Sequence, residues 1–304
     1  MCMDLWQGVF PAVTTQFHTD QSLDLEATAR HIESQISCGV QGIIVLGSLG
    51  ENTALDPQEK RRVVGLAVET AAGRVPVLSG VAESATALAC RFVRDLERLG
   101  AAGSMIMPAM VYRTSPEETL AYYRAVAAAS ALPVLLYNNP ISYGVDLTPD
   151  LLEALASEKR FVAIKESCGD VRRITDLIRR LDGRYTIFAG VDDLALECFL
   201  LGAKGWVAGL GDAFPRENQH LFGLAMAGQW SRAREIYRWY MPLLHLDTHP
   251  KFVQYIKLAM QETGEGTEWV RSPRLPLEGP ERQRILAVIR AGIASRPRIG
   301  PEKT

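Results

Sequence analysis

Lys165 occupies the position in this chain that most clearly indicates chemistry. It ends the apolar run 161–164 and is followed directly by Glu166. Because lysine is rarely buried, an amine at the end of a buried strand suggests a site that removes water from it. Burial disfavours the ammonium form, so the pKa falls and the amine becomes a nucleophile toward carbonyl carbon. On this observation alone, a lysine that reaches solvent or pairs with Glu166 is an equally good interpretation.

A lysine amine that condenses with a 2-oxo acid forms an iminium at C2 of the substrate. The iminium withdraws electrons, so a C3 proton can be removed and the C3–C4 bond or a C4 hydroxyl becomes labile. Aldol cleavage, aldol addition and dehydration all follow from this one intermediate. None of these steps requires a metal ion or an organic cofactor, and we expect neither.

The run Gly47-Ser48-Leu49-Gly50-Glu51 places two glycines around a small hydroxyl residue. Glycine lets backbone N–H groups approach an anion closely before a helix begins. The run therefore indicates a binding loop for a substrate carboxylate. An ordinary strand-to-helix turn that needs glycine for its dihedral angles is the alternative.

Tyr137 ends another apolar run, two positions before Asn139. A phenol at such a position could carry a proton to or from an enzyme-bound imine. The alternative is a core tyrosine whose hydroxyl is satisfied by a neighbour. The choice between them depends on whether the fold brings Tyr137 to Lys165.

Eight short apolar runs alternate with segments of helical period, and this alternation predicts a parallel (β/α)8 TIM barrel. Several helical segments begin with Pro after a Ser, Thr or Asp cap. The predicted strands are 8–14, 43–46, 75–79, 104–107, 133–137, 161–165, 185–189 and 205–208, and the predicted helices are 24–37, 56–71, 84–99, 115–129, 148–156, 170–180, 192–201 and 215–227.

The last part of the chain does not continue the alternation. Residues 230–244, 251–261 and 279–294 all have helical patterns, and no Gly/Ser linker precedes them. We therefore expect a catalytic barrel over residues 1–227 and a C-terminal helical extension over residues 228–304 that packs on it.

Barrel enzymes place their functional groups at the carboxyl ends of the strands. Tyr137 and Lys165 end neighbouring strands, so their side chains should reach the same end of the barrel. The other candidates for chemistry are weaker. His245 and His249 have i, i+4 spacing but no recurring carboxylate partner, and Cys168 is better explained as a loop thiol. No metal site is expected.

Composition and charge exclude several classes of protein. The chain has 33 Lys and Arg against 35 Asp and Glu without a basic block, which argues against nucleic acid as a partner. Its beginning lacks a basic region followed by an apolar stretch, and no segment is long and apolar enough for a membrane span, so a cytoplasmic location is expected. The five cysteines form no C-x-x-C pair and indicate reduced thiols.

Three motifs, at 47–51, 137–140 and 162–167, resemble in order and spacing those of the dihydrodipicolinate synthase and N-acetylneuraminate lyase family of class I aldolase-type enzymes. The similarity runs from about Gly8 to the final helix. The resemblance implies a Schiff-base lysine at Lys165, a catalytic tyrosine at Tyr137, a carboxylate-binding loop at Ser48 and Leu49, and a homotetramer.

The strand-end positions and the resemblance together give the expected site. We expect Lys165, Tyr137 and Ser48 to be catalytic. The residues expected to bind the substrate are Gly47, Leu49, Gly50, Asn139, Tyr143, Tyr112, Gly190, Asp192 and Gly209. Asp192 also has a simpler interpretation as a helix cap.

Two departures from the family bear on the substrate. Enzymes of the family that make the lysine precursor carry an arginine where this chain has Ser142, and a tyrosine pair where it reads Pro108-Ala109-Met110-Val111-Tyr112. Tyr112 and Tyr143 are the candidates for the second relay tyrosine.

The segments 8–15, 205–210 and 270–277 look most like the branch of the family that deaminates Δ1-pyrroline-4-hydroxy-2-carboxylate. The expected substrate is therefore a small 2-oxo acid or its cyclic imine. An aldolase or dehydratase of the same family and a non-catalytic 2-oxo acid sensor are the alternatives.

Overall fold

A computed structural model describes residues 6–299, and a barrel of eight parallel strands forms its centre. The expected (β/α)8 TIM barrel with C-terminal helices is confirmed. The strands are β1 Gly8–Val9, β2 Ile43–Val45, β3 Val77–Val81, β4 Gly103–Ile106, β5 Val134–Asn138, β6 Phe161–Glu166, β7 Thr186–Ala189 and β8 Gly205–Trp206.

The sheet closes between the first two strands. Its hydrogen-bonded order is β1-β8-β7-β6-β5-β4-β3-β2. Beyond β1, Ala12 forms a parallel bridge with Ile44 of β2, and the N–H of Val13 donates to the Ile44 carbonyl at 2.9 Å. Pro11 has no N–H to donate, so the first strand is shorter than the predicted 8–14. Pro76 similarly moves the start of β3 to Val77.

Helices follow the strands as expected, and several begin at the predicted caps. Asp56 and Ser115 each form a capping box with a glutamate three residues later, with Pro at the first helical position. The helices around the barrel are α1 Leu25–Ser37, α2 Pro57–Ala71, α3 Thr86–Arg98, α4 Pro116–Ala128, α5 Pro140–Tyr143, α6 Pro149–Leu155, α7 Arg172–Leu181, α8 Ala195–Leu200 and α9 Pro215–Met226.

Two local features differ from the expectation. The short helix α5 was not predicted, because four residues contain no measurable period. The predicted helix 192–201 is a 3-10 turn at Asp192–Leu194 followed by α8.

Three helices complete the C-terminal extension: α10 Trp230–Leu244, α11 Phe252–Thr263 and α12 Gly279–Ala294. A 3-10 turn at His245–Thr248 lies between α10 and α11. Trp239 and Tyr240 of α10 pack edge-on against Phe214, each with ring centroids 5.9 Å from it. Over residues 6–299, no helix has both the length and the apolar character that a membrane span requires.

A buried ion pair joins α11 to the loop after β2. The Lys257 amine lies 2.7 Å from Glu51 Oε1 and donates to the Trp269 carbonyl at 2.7 Å. The other Glu51 oxygen accepts the backbone N–H of Arg271 at 3.0 Å. Burial lowers the pKa of Lys257 to about 8, so the amine is still largely charged at pH 7. The C-terminal extension therefore holds residues 47–51, the glycine-rich loop, in place.

Replacing Lys257 by methionine is expected to lower the free energy of unfolding by about 3 kcal/mol, because the buried Glu51 carboxylate then keeps only Arg274, 3.6 Å away, as a charged partner. Urea unfolding at pH 7 measures the change. In the double variant Lys257→Met/Glu51→Gln the buried carboxylate charge is also removed, so the loss should be smaller. Equal losses in the single and double variants would contradict this account.

Candidate active site

Lys165 and Tyr137 face each other at the carboxyl ends of β6 and β5. The two residues are in register across the paired strands. The Lys165 amine lies 4.2 Å from the centroid of the Tyr137 ring, and both side chains are buried, with residue exposures of 7% and 5%. The fold thus brings together the amine and the phenol that the sequence analysis selected.

Burial is the main influence on the Lys165 amine. It lowers the pKa of Lys165, while the nearby charges of Asp247 and Asp192 act in the opposite direction. The amine therefore loses its proton more readily than an exposed lysine does. This is the property that a nucleophile toward carbonyl carbon requires.

Tyr143 connects Tyr137 to the glycine-rich loop. Its ring packs edge-on against the Tyr137 ring with centroids 5.6 Å apart, and its hydroxyl is hydrogen-bonded to the Ser48 hydroxyl. Burial raises the pKa of both phenols, so both hold their protons at neutral pH. Tyr143 therefore joins the loop to the tyrosine ring on which the Lys165 amine lies.

Asn139 positions both tyrosines. Its side-chain oxygen caps α5 by accepting the Ser142 N–H at 3.0 Å, which fixes the helix that carries Tyr143. Its amide group donates to the Tyr137 hydroxyl at 3.2 Å. The prediction that Asn139 binds substrate stays a prediction, since these contacts describe a supporting role.

The loop after β2 presents Ser48 and buries its neighbours. Ser48 is partly exposed, whereas Gly47, Leu49 and Gly50 are buried. A Cβ atom at Gly50 would lie 2.9–3.0 Å from neighbouring backbone, so only glycine fits there. The Asn52 amide donates to the Leu46 carbonyl at 2.8 Å and to the Gly80 carbonyl at 3.1 Å, which fixes the loop to the ends of β2 and β3.

Glu166 turns away from Lys165, because successive side chains on a strand point to opposite sides. Its carboxylate accepts the Asn138 amide at 3.0 and 3.1 Å and the Cys168 N–H at 2.8 Å. Asp146 accepts from the same amide and pairs with Arg173 at 2.9 Å. The pairing of Lys165 with Glu166, one of the two interpretations of the sequence, does not occur.

Two glycines at the ends of β7 and β8 make room for charged side chains. A Cβ atom at Gly190 would lie 2.7 Å from Lys165 Cγ and 2.1 Å from Ser167 Oγ. A Cβ atom at Gly209 would lie 2.5 Å from Asp247 Oδ1. Both glycines therefore border the site, and each allows a neighbour to approach the backbone, while their expected contact with substrate stays a prediction.

Asp192 stabilises the backbone that borders the site. It is fully buried, and it accepts hydrogen bonds from Trp206 Nε1 at 2.9 Å, Gly209 N at 3.1 Å and Leu210 N at 2.7 Å. Burial raises its pKa to about 6. Protein donors contact both of its oxygens, so Asp192 fixes the segment that follows β8, and its expected contact with substrate stays a prediction.

Tyr112 is not brought to the group around Lys165 within this chain. It is 61% exposed, and its hydroxyl donates to Glu118 at 3.2 Å. The weaker candidates also have other partners. His245 pairs with Asp193 at 2.8 Å, and burial raises the pKa of Cys168 to about 12, which argues against a nucleophilic thiol.

Asp247 is the functional candidate that the sequence analysis missed. It lies in the 3-10 turn His245–Thr248, and its carboxylate abuts Gly209 at the end of β8. Of the neighbouring charges, Asp247 does most to raise the pKa of Lys165 against the effect of burial. No sequence signal marks it, because it reaches the site through the packing of α10 and α11.

Comparison with known proteins gives one family. Residues 5–292 match the model of the dihydrodipicolinate synthetase family. A 4-hydroxy-tetrahydrodipicolinate synthase from Xanthomonas campestris pv. campestris is 35% identical over 289 residues, which cover 92% of this chain and 93% of the relative.

Solved structures give the same result. YagE of Escherichia coli K12, a member of the dihydrodipicolinic acid synthase family in complex with pyruvate, has a TM-score of 0.90 at 27% identity and covers 95% of this chain and 99% of its own. The 4-hydroxy-tetrahydrodipicolinate synthase of Methylacidiphilum fumariolicum SolV has a TM-score of 0.89 at 30% identity, with coverages of 95% and 97%.

Proposed function

Because the chain belongs to the dihydrodipicolinate synthetase family and is a lyase of the class I aldolase type, we propose that Lys165 forms a Schiff base with C2 of its substrate. The observation that carries this proposal is the buried Lys165 amine on the face of the Tyr137 ring. Such an amine can be neutral at working pH, and a protonated phenol beside it can supply the proton that imine formation moves.

Each remaining group has a role that follows from its position. Ser48 and the N–H groups of its loop bind the substrate carboxylate. Tyr137 carries protons between the amine, C3 and the group that leaves C2. Tyr143 links the Ser48 hydroxyl to Tyr137 and so completes a proton relay.

The substrate that we propose is Δ1-pyrroline-4-hydroxy-2-carboxylate. Lys165 attacks C2 of the cyclic imine, and the ring nitrogen leaves C2 as an amine. Loss of a C3 proton and of the C4 hydroxyl as water follows, and two hydrolyses then give ammonia and 2-oxoglutarate semialdehyde, with a net uptake of one water. Asp247 near the amine and Ser142 in place of an arginine favour a distal end that is not a carboxylate.

Aldol addition of pyruvate to an aldehyde is the second candidate. The named relatives are synthases of this family, and YagE is complexed with pyruvate. The same Lys165 enamine would carry out the addition. We also propose a cytoplasmic homotetramer, for which the fully exposed Val111 and the exposed Ile141 offer apolar contact surface.

Substrate turnover and adduct trapping together test the proposal. We expect the purified protein to release ammonia from the pyrroline and to form a borohydride-reducible adduct with pyruvate, read by intact mass. An adduct with pyruvate and consumption of pyruvate with aldehydes, without ammonia from the pyrroline, would move the function to an aldolase. A protein that forms no adduct with either compound would overturn the Schiff-base proposal.

A further inference from the structure

The Asp247 carboxylate is placed at the barrel mouth by two contacts of its own segment. His245 pairs with Asp193 at 2.8 Å, and the Tyr237 hydroxyl donates to the Asp193 carbonyl. These contacts tie α10 and the turn His245–Thr248 that follows it to the loop after β7. They set the carboxylate against the α-carbon of Gly209, where any larger residue would collide with Asp247 Oδ1. The position of Asp247 is therefore fixed from both sides.

Asp247 differs from the other carboxylates near Lys165 in what its oxygens contact. Asp192 is occupied by Trp206, Gly209 and Leu210, and Glu166 by Asn138 and the Cys168 N–H. Among residues 6–299, no protein donor is hydrogen-bonded to the Asp247 oxygens. Its residue is also partly exposed, unlike those two. Of these three described carboxyl groups, Asp247 alone is partly exposed and has no protein donor on its oxygens.

A bound substrate would extend from the glycine-rich loop toward Asp247. The carboxylate binds at the loop after β2, and C2 is bonded to Lys165 on β6. Gly190, after β7, contacts the Lys165 side chain, and Gly209, after β8, contacts Asp247 Oδ1. The neighbouring ends of β7 and β8 therefore connect the amine to Asp247, and a substrate chain that continues from C2 along them brings C3, C4 and the C4 hydroxyl toward the Asp247 carboxylate.

We propose that Asp247 is the general acid that protonates the C4 hydroxyl as it leaves, an inference that rests on the proposed function. After C3 loses its proton, the enamine nitrogen lone pair forms the N=C2 bond, the C2=C3 pair becomes C3=C4, and the C4–O pair goes to oxygen. The oxygen takes the Asp247 proton and departs as water, which leaves Asp247 as a carboxylate. No oxidant or further reactant is needed.

The electrostatics of the site agree with this role. Burial is the main cause that raises the pKa of Asp247, the negative charge of Asp192 adds to it, and the positive charge of Lys165 acts in the opposite direction without cancelling them. A carboxyl group in these surroundings keeps a proton at a pH where an exposed one has lost it. This is the protonation state that a general acid needs before the elimination.

Asp247→Asn tests the inference, with Asp182→Asn as the matched control. Asp182 is exposed and follows α7, at the opposite end of the barrel from the site. Each protein is mixed with Δ1-pyrroline-4-hydroxy-2-carboxylate, ammonia release is recorded, and samples are reduced with borohydride for intact mass. Pyruvate, which has no C4 hydroxyl, tests the Lys165 chemistry separately.

We expect Asp247→Asn to release ammonia about 10²-fold more slowly than wild type. It should accumulate an adduct that keeps the C4 hydroxyl and is heavier by one water than the adduct formed after elimination. Its adduct with pyruvate should still form. Asp182→Asn should match wild type, and Asp247→Glu should recover part of the rate because it keeps a carboxyl group.

Three results would overturn this role for Asp247. The first is ammonia release by Asp247→Asn at the wild-type rate. The second is loss of both adducts in Asp247→Asn, which would assign the residue a purely structural part. The third is a wild-type protein that forms the pyruvate adduct but releases no ammonia from the pyrroline, which would remove the proposed substrate as well.

Discussion

Replacing Lys165 by methionine is expected to lower turnover by at least about 10⁴-fold and to abolish the borohydride-trapped adduct. In the proposed mechanism no covalent intermediate forms without the amine, and Lys165 is the only cation among residues 6–299 that lies on the Tyr137 ring face. Methionine has a similar length and no charge, so it fills the buried space beside Tyr137 without an unpaired ammonium. Ammonia release and intact mass after reduction with pyruvate measure the two effects.

The control for this variant is Lys159→Met, at a lysine just before the strand that carries Lys165. Lys159 is exposed and precedes β6, so it sits at the opposite end of the strand from Lys165. Lys159→Met should form the adduct as wild type does. Peptide mapping of the wild-type adduct should place it on Lys165. An adduct on Lys60 or Lys257, the other buried lysines of residues 6–299, would show that the nucleophile has been assigned wrongly.

The barrel and its two central residues could be predicted because both leave local patterns in the sequence. Alternating apolar runs and capped helices specify the order of elements, and parallel strands in a barrel all end on one face. Once Lys165 and Tyr137 are placed at the ends of neighbouring strands, their meeting follows without any knowledge of packing. The register between β5 and β6 places them side by side.

The parts of the site that could not be predicted depend on side-chain direction and on distant packing. Asp192 lies at a strand end as expected, but position along the chain does not reveal that its oxygens accept hydrogen bonds from the Trp206 indole and from the Leu210 N–H after β8. Asp247 belongs to a four-residue turn in the extension. Its approach to Gly209 is set by helices whose packing no local pattern encodes.

Tyr143 lies between these two cases, because its candidacy could be predicted and its orientation could not. Its position after the Tyr-Asn-Asn-Pro run made it a candidate, but the helix that orients it is only four residues long. The Asn139 cap and the glycine at the helix end produce α5, and the resulting turn points the phenol at Ser48. The sequence predicted neither this short helix nor the direction in which it turns the tyrosine.

Replacing Tyr137 by phenylalanine should separate Schiff-base formation from the proton transfers that follow it. Phenylalanine keeps the ring face under the Lys165 amine and the edge-on contact with Tyr143, so the buried surroundings of Lys165 persist. Only the hydroxyl is lost. Since general acid–base catalysis contributes about 10²–10⁴-fold, turnover should fall roughly 10³-fold.

The readout that distinguishes this role is the split between turnover and trapping. The Tyr137→Phe protein should still give the pyruvate adduct on long incubation, but more slowly than wild type. Tyr122→Phe is the matched control, because the Tyr122 hydroxyl is buried on α4 and has no hydrogen-bond partner within residues 6–299. Equal turnover rates of Tyr137→Phe and Tyr122→Phe would contradict a proton-transfer role for Tyr137. The proton would then have to pass through Tyr143 and Ser48 alone, and Tyr137 would contribute only the ring that contacts the Lys165 amine.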